Sequence, residues 1–158
     1  VAAVNGAAVG AGMNMVLACD LVIAAQSARF DTRFLSIGLH PGGGHTWRLR
    51  NITDLQTAKA MVLFSQVLDG EEASARGVAW ECVSDTDLVD SAVGYAELAA
   101  SHPKELVART KATLHSTAAV TDSEESVKLE IGPQVWSMHQ PAFVEMVEGL
   151  KSRISSRS

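Results

Sequence analysis

Cysteine is scarce in this sequence of 158 residues, with only Cys19 and Cys82 present. The two lie far apart in apolar surroundings, which argues against a disulfide framework and favours a reducing, cytoplasmic setting with both thiols buried. Positive charge is short as well. With 13 Lys and Arg against 18 Asp and Glu the formal charge is −5, and the basic residues are scattered. Phosphate repulsion would go unopposed, so no nucleic-acid partner and no anionic-membrane surface is expected. A long uninterrupted apolar run is missing too: Asn5, Asn14 and Asp20 break the opening stretch, and no basic leader precedes it. That excludes a signal peptide and membrane insertion. There is no internal repeat, low-complexity tract or interdomain linker. Neither a methionine nor a polar leader stands before Val1. Further residues upstream are therefore expected, along with open edges at Val4, Leu21 and Ile23 unless other subunits cover them.

What is present is the composition of a soluble globular domain, 47% hydrophobic and 20% charged, able to bury a core. The pattern begins with a strand at Val1–Val4, a glycine-rich turn at Asn5–Gly12 and an apolar helix at Met13–Cys19. Glycines 6, 10 and 12 let the backbone turn sharply and let another group come close, because no Cβ intervenes. A helix leaving such a turn offers unpaired N–H groups with partial positive charge, suited to an anion or a developing oxyanion. The same glycines could serve only a tight connection. The order G-x-x-x-G-x-G does not fit a dinucleotide fingerprint.

Leu21–Ala25 reads as a buried strand, so a strand, a helix and a strand within 25 residues imply the crossover unit of a parallel sheet. Residues 28–38 give a brief strand and a turn of helix, and His40–Gly44 is forced into a loop by its proline and three glycines. Helices follow at 45–50 and at 53–64, the latter capped by Thr53 or Asp54. The 69–77 segment has acids early and an arginine before its last glycine, as a short helix prefers. Trp80–Val83 is a last strand. Four helical stretches then cover 86–101, 103–116, 123–139 and 141–154, with Pro103 and Pro141 at first-turn positions. Gly132-Pro133 should kink or split the third, and Ser152–Ser158 should fray.

These residues resemble a known family. A-A-V-N-G-x-A-x-G-x-G and the following C-D at 2–20, S-A-R-F at 27–30, I-G-L-x-P-G-G-G-x-T-x-R-L at 37–49, D-G-E-E-A-x-x-x-G-V at 69–78 and the K-A-T around Lys111 are similar to the crotonase superfamily, the enoyl-CoA hydratases and isomerases. The likeness spans the chain but only the later part of the family's domain, without its N-terminal strands and first oxyanion loop. It implies an α/β fold. Residues 1–85 would be the later part of a spiral core of ββα units, and 86–158 a C-terminal helical region for trimerisation that roofs the active site. It also implies a coenzyme A thioester as substrate or ligand, no separate cofactor or metal, and a homo-oligomer, a trimer or dimer of trimers.

By the same resemblance the thioester oxygen is held by backbone N–H groups, one belonging to Ala11. Gly10, Gly12, Ile37, His40 and Gly43 would line the substrate. The family's two hydratase glutamates fall at Asn14 and Phe34. Hydration of an enoyl thioester needs one group to activate water and another to move the α-proton. An amide cannot act as the base and a phenyl ring can only fill space. Ordinary hydratase activity is therefore not expected. The alternatives are a catalytic member using other residues, such as an isomerase or a thioester hydrolase, and a non-catalytic acyl-CoA carrier or sensor. Asp31, His40 and His45 are the groups that could stand in for a missing carboxylate, or be merely structural.

Overall fold

The structure is a computed structural model that describes residues 1–155. The last three positions of the expected fray lie outside the described residues, and up to Ser155 the chain is helical. Two compact units, Val1–Glu97 and Leu98–Ser158, make up the chain.

The first unit runs β1 (Ala2–Val4), β2 (Ala7–Val9), α1 (Ala11–Leu17), β3 (Val22–Ala25), β4 (Arg29–Asp31), a 3-10 turn (Leu35–Ile37), α2 (His45–Ile52), α3 (Leu55–Leu63), β5 (Leu68–Asp69), α4 (Gly70–Ala75), β6 (Glu81–Val83) and α5 (Leu88–Ala100). Among the first four strands, none pairs with its neighbour in sequence within that set. β1, β3 and β6 form one parallel sheet in that order, while β2, β4 and β5 form another, in which β5 runs antiparallel to β4. The first two passes of the chain thus add their first strand to one sheet and their second to the other, in parallel register from β1 to β3 and from β2 to β4, while β5 and β6 join the sheets in the opposite order. That is the ββα spiral the resemblance implies.

Several local expectations shift. The stretch 5–12 is not all turn, because Ala7–Val9 pairs with Arg29–Asp31 as a strand. The helix behind it starts at Ala11 rather than Met13. β6 starts at Glu81, leaving Trp80 exposed. Gly132 and Pro133 lie inside one continuous helix, so the expected split does not occur. Leu129, whose carbonyl the proline leaves without its i+4 donor, is exposed. Pro103 is the cap of the helix Lys104–Thr117, and Pro141 is the first residue of the helix Pro141–Ser155.

The helix ends follow side-chain chemistry. Of the two candidate caps it is Asp54 that accepts from Thr57 N at 2.8 Å and from Thr57 Oγ1 at 2.7 Å, and these bonds hold its carboxyl below the ordinary value. Asp69 and Glu72 form a reciprocal capping box on α4. At the other end of α4, Val78 N bonds Ala73 O at 2.9 Å and Gly77 N bonds Ser74 O at 3.1 Å, with Gly77 at φ 80°. This is the glycine-terminated close that the sequence pattern predicts.

The apolar faces expected to stand open at Val4 and Ile23 are covered, although β1 is an edge strand of its sheet. Val4 is 7% exposed and Ile23 is fully buried, while Leu21 is partly buried. Val4 lies in the same core as Ala8 and Met13, and two elements far down the chain cover Ile23. β6 closes the far side of β3, and Leu88 and Ala92 of α5 cover Ile23 and Ala25. The opposite core gathers Met13, Phe30, Leu49 and Met61, all fully buried and each contributing about 1.5–3 kcal/mol. The thiols also depart from expectation, since Cys19 is exposed and Cys82 only partly buried.

The second unit contains α6 (Lys104–Thr117), α7 (Ser123–Met138) and α8 (Pro141–Ser155). The Arg109 guanidinium stacks over Trp136 at 4.1 Å and pairs with Glu105 at 2.7 Å. None of the described residues from Leu98 onward is fully buried. Val135, Met138, Phe143, Met146 and Leu150 are all exposed. Among the described residues, no helix is long and apolar enough to cross a membrane.

Candidate active site

β2 delivers the chain into Gly10, whose φ of 52° and whose N–H bond to Asp31 O at 2.9 Å turn the backbone straight into α1. Ala11 is the first residue of that helix and is exposed. Its N–H belongs to the first turn, where no intrahelical acceptor exists. Gly12 is exposed beside it.

Asn14, one turn along, does not face open solvent as a water-orienting amide would. Its Nδ2 donates to Gly42 O at 3.0 Å, and its Oδ1 meets His45 Nδ1 at 2.7 Å. The amide therefore ties α1 to the glycine loop and to the first residue of α2. The loop is shaped to receive it. Gly43 has φ 64°, and a Cβ there would come within 3.1 Å of Asn14 Nδ2, so glycine serves both the backbone turn and the close approach.

Phe34 is buried, with its ring edge-on to the His45 imidazole at 5.0 Å between centroids. Its Cζ lies 3.9 Å from where a Cβ on Gly10 would be. One imidazole thus touches both Asn14 and Phe34. His45 is 1% exposed, and its Nε2 is buried without a hydrogen-bond partner. Burial holds its pKa below the ordinary histidine value. The neutral ring is the form the fold favours. On acidification through that ordinary value of about 6.5, the unfolded chain takes a proton the folded chain resists, and stability falls.

The other candidates stand apart. Asp31, expected as a surface or pocket acid, is buried and occupied by its neighbour: Arg33 N donates at 2.8 Å and Arg33 Nε at 2.7 Å. Its carboxylate is spent on holding Arg33 at φ 55°. His40 is exposed, and its Nδ1 donates to Pro41 O at 2.8 Å. Ile37 is exposed on the 3-10 turn, near the cluster only through the bond from its N–H to Phe34 O at 3.2 Å. Among the described residues no group of three or more His, Cys, Asp or Glu side chains could hold a metal ion. Two cavities lie elsewhere. One of about 420 Å³ is lined by Leu17, Asp20, Ile52 and Trp80, and one of about 280 Å³ by Leu106, Arg109 and Pro133. Beside the cluster, Ala11 and Gly12 are exposed.

A ββα spiral with a glycine turn that sets a helix N-terminus beside a second glycine loop defines a crotonase-fold chain. Residues 1–152 match the family described as enoyl-CoA hydratase/isomerase. The chain belongs to that family. It is 41% identical over 158 residues to a probable enoyl-CoA hydratase, EchA14, of Mycobacterium tuberculosis, covering 97% of this chain and 61% of that protein. To the 1,2-epoxyphenylacetyl-CoA isomerase of Escherichia coli K12 it is 39% identical over 103 residues, covering 65% of this chain and 39% of the isomerase. The solved structure of an enoyl-CoA hydratase/isomerase from Cupriavidus metallidurans superimposes with a TM-score of 0.85 at 30% identity, covering 94% of this chain and 56% of that one. The chain thus spans about three fifths or less of the length of these relatives.

Proposed function

We propose that this chain binds a coenzyme A thioester at the Gly10–Gly12 turn, with Ala11 N–H as a donor to the thioester enolate oxygen, and that ordinary 2-enoyl-CoA hydration is not its reaction. Preset backbone donors aimed at such an oxygen lower a barrier by several kcal/mol where they act. The observation that carries the reading is Asn14. Its amide is committed to Gly42 O and His45, and neither it nor Phe34 can move a proton. The substrate is an acyl-CoA of fatty-acid or related metabolism, lined by Gly10, Gly12, Ile37, His40 and Gly43, and the protein works in the cytoplasm without a separate cofactor.

The test pairs binding with turnover. Calorimetry of the full-length protein should show a saturated acyl-CoA binding, while short and long 2-enoyl-CoA esters are hydrated no faster than in buffer. Hydration at the rates of a two-carboxylate enzyme would overturn the second part, and absence of acyl-CoA binding the first.

The family implies a trimer or dimer of trimers, and the second unit favours it. Three helices with apolar side chains and no fully buried residue among those described have no core of their own. Other copies of the chain would cover Val135, Met138, Phe143 and Met146. Light scattering should return a trimer or hexamer mass; a compact, cooperatively unfolding monomer would exclude it.

A further inference from the structure

We propose that His45 Nε2 is the proton acceptor of this site, taking the α-proton of a bound acyl-CoA in place of carboxylates at positions 14 and 34. The inference rests on the acyl-CoA reading above. A carbonyl can only accept, so the Asn14 nitrogen must be the atom at Gly42 O, 3.0 Å away. The amide oxygen then faces His45 Nδ1 at 2.7 Å and, being an acceptor only, requires the proton to sit on Nδ1. A neutral imidazole carries one N–H. Nε2 is therefore bare, and it is buried with no partner.

A buried acceptor left unpaired costs stability that an apolar side chain in its place would not, and such groups in native structures call for an explanation. The surroundings point to chemistry. Of the three side chains that could replace a carboxylate, Asp31 is held by Arg33 and His40 by Pro41 O, whereas His45 touches both Asn14 and Phe34. The hydrogen-bond and ring contacts of His45 are with neutral side chains. α1 presents the neutral Asn14, the 3-10 segment presents Phe34, and the glycine loop has no side chain. Arg48, on the helix of His45 itself, turns its guanidinium to Gly43 O at 2.5 Å.

In the step, the α C–H bond breaks and its electron pair forms the enolate, with the charge on the thioester oxygen. The proton bonds to Nε2, giving an imidazolium whose Nδ1–H stays on Asn14. Returning that proton to the α-carbon, or to the γ-carbon of a 3-enoyl thioester, restores the neutral ring with no water or oxidant consumed. Phe34 must turn about its Cα–Cβ bond to uncover Nε2 toward the Gly10 turn. Asn14 is the positioning residue, fixing the tautomer and the ring plane.

The experiment follows exchange of the α-hydrogens of butyryl-CoA in deuterium oxide by NMR, with calorimetric binding alongside, using the full-length protein. Wild type should exchange them. His45→Gln, which keeps a donor for Asn14 but no titrating nitrogen, should lose at least about 100-fold in exchange with binding retained. Asn14→Asp sets a carboxylate beside Nδ1, favours the imidazolium and moves the low-pH limb of the exchange profile to higher pH. Wild-type exchange in His45→Gln, or a limb that stays in place in Asn14→Asp, would overturn the assignment. Wild type that binds butyryl-CoA without exchanging it overturns this inference alone, whereas wild type that binds no acyl-CoA overturns the preceding reading with it.

Discussion

Gly70→Ala lowers the unfolding midpoint of the protein by more than about 10 °C, the equivalent of about 3 kcal/mol for a unit of this size. A Cβ on Gly70 would lie 2.1 Å from Ala25 O and 2.9 Å from Cys82 Sγ. The thiol could swing aside, but the carbonyl cannot. Ala25 is fully buried at the end of β3, the central strand of its sheet, and its oxygen already accepts from Ala28 N at 3.0 Å. Nor can α4 retreat, since the Asp69–Glu72 box fixes one end and the bond from Val78 N to Ala73 O the other. Alanine's helix preference over glycine is worth about 1 kcal/mol and loses to the overlap. Gly94 in α5 supplies the control: a Cβ there meets nothing within 4 Å, so Gly94→Ala should leave the midpoint unchanged or raise it. If Gly70→Ala melts within a few degrees of wild type, the close approach of α4 to β3 is not as described.

That contact shows where the linear chain is readable and where it is not. The acids and glycine of 69–77 announce a capped helix because caps are local chemistry, and both caps form. That the helix abuts the end of a strand some 45 residues earlier in the chain has no local signal. β2 was invisible for a related reason: Ala7–Val9 carries no alternation, and what makes it a strand is its register with Arg29–Asp31. Ile23 looked exposed because the strand beside it and the helix that covers it come roughly 60 residues later.

The candidate site divides in the same way. Positions 14 and 34 stood out only through the family resemblance, whereas the glycine loop stood out by its composition. His45 was one of three equal candidates until burial and two contacts separated it from Asp31 and His40. A local hint was available, since a histidine directly after three glycines opens a helix and its side chain must turn toward whatever the loop packs against. The partner, 31 residues upstream, is a tertiary fact.

The double variant Asn14→Glu/Phe34→Glu hydrates crotonyl-CoA at least about 100-fold faster than either single variant, because hydration needs two proton transfers and each single variant supplies one carboxylate. The two positions suit the experiment, for both contact the His45 ring. Structure adds a cost that spacing could not show. The carboxylate introduced by Asn14→Glu has no N–H for Gly42 O, so the tie between α1 and the glycine loop is lost and the new side chain takes the His45 Nδ1–H instead. Phe34→Glu places a carboxyl where a buried ring stood, and an unpaired charge there is destabilising. His45 offsets this by taking a proton and pairing with it, so removing His45 from the Phe34→Glu background should lower stability more than removing it from wild type. Thermal unfolding of the four proteins measures that coupling, and steady-state hydration of crotonyl-CoA measures the gain. A double variant that folds and binds acyl-CoA yet leaves crotonyl-CoA unhydrated would mean that the site lacks more than its two carboxylates. In that case the Ala11 donor or the space for a water molecule is missing too.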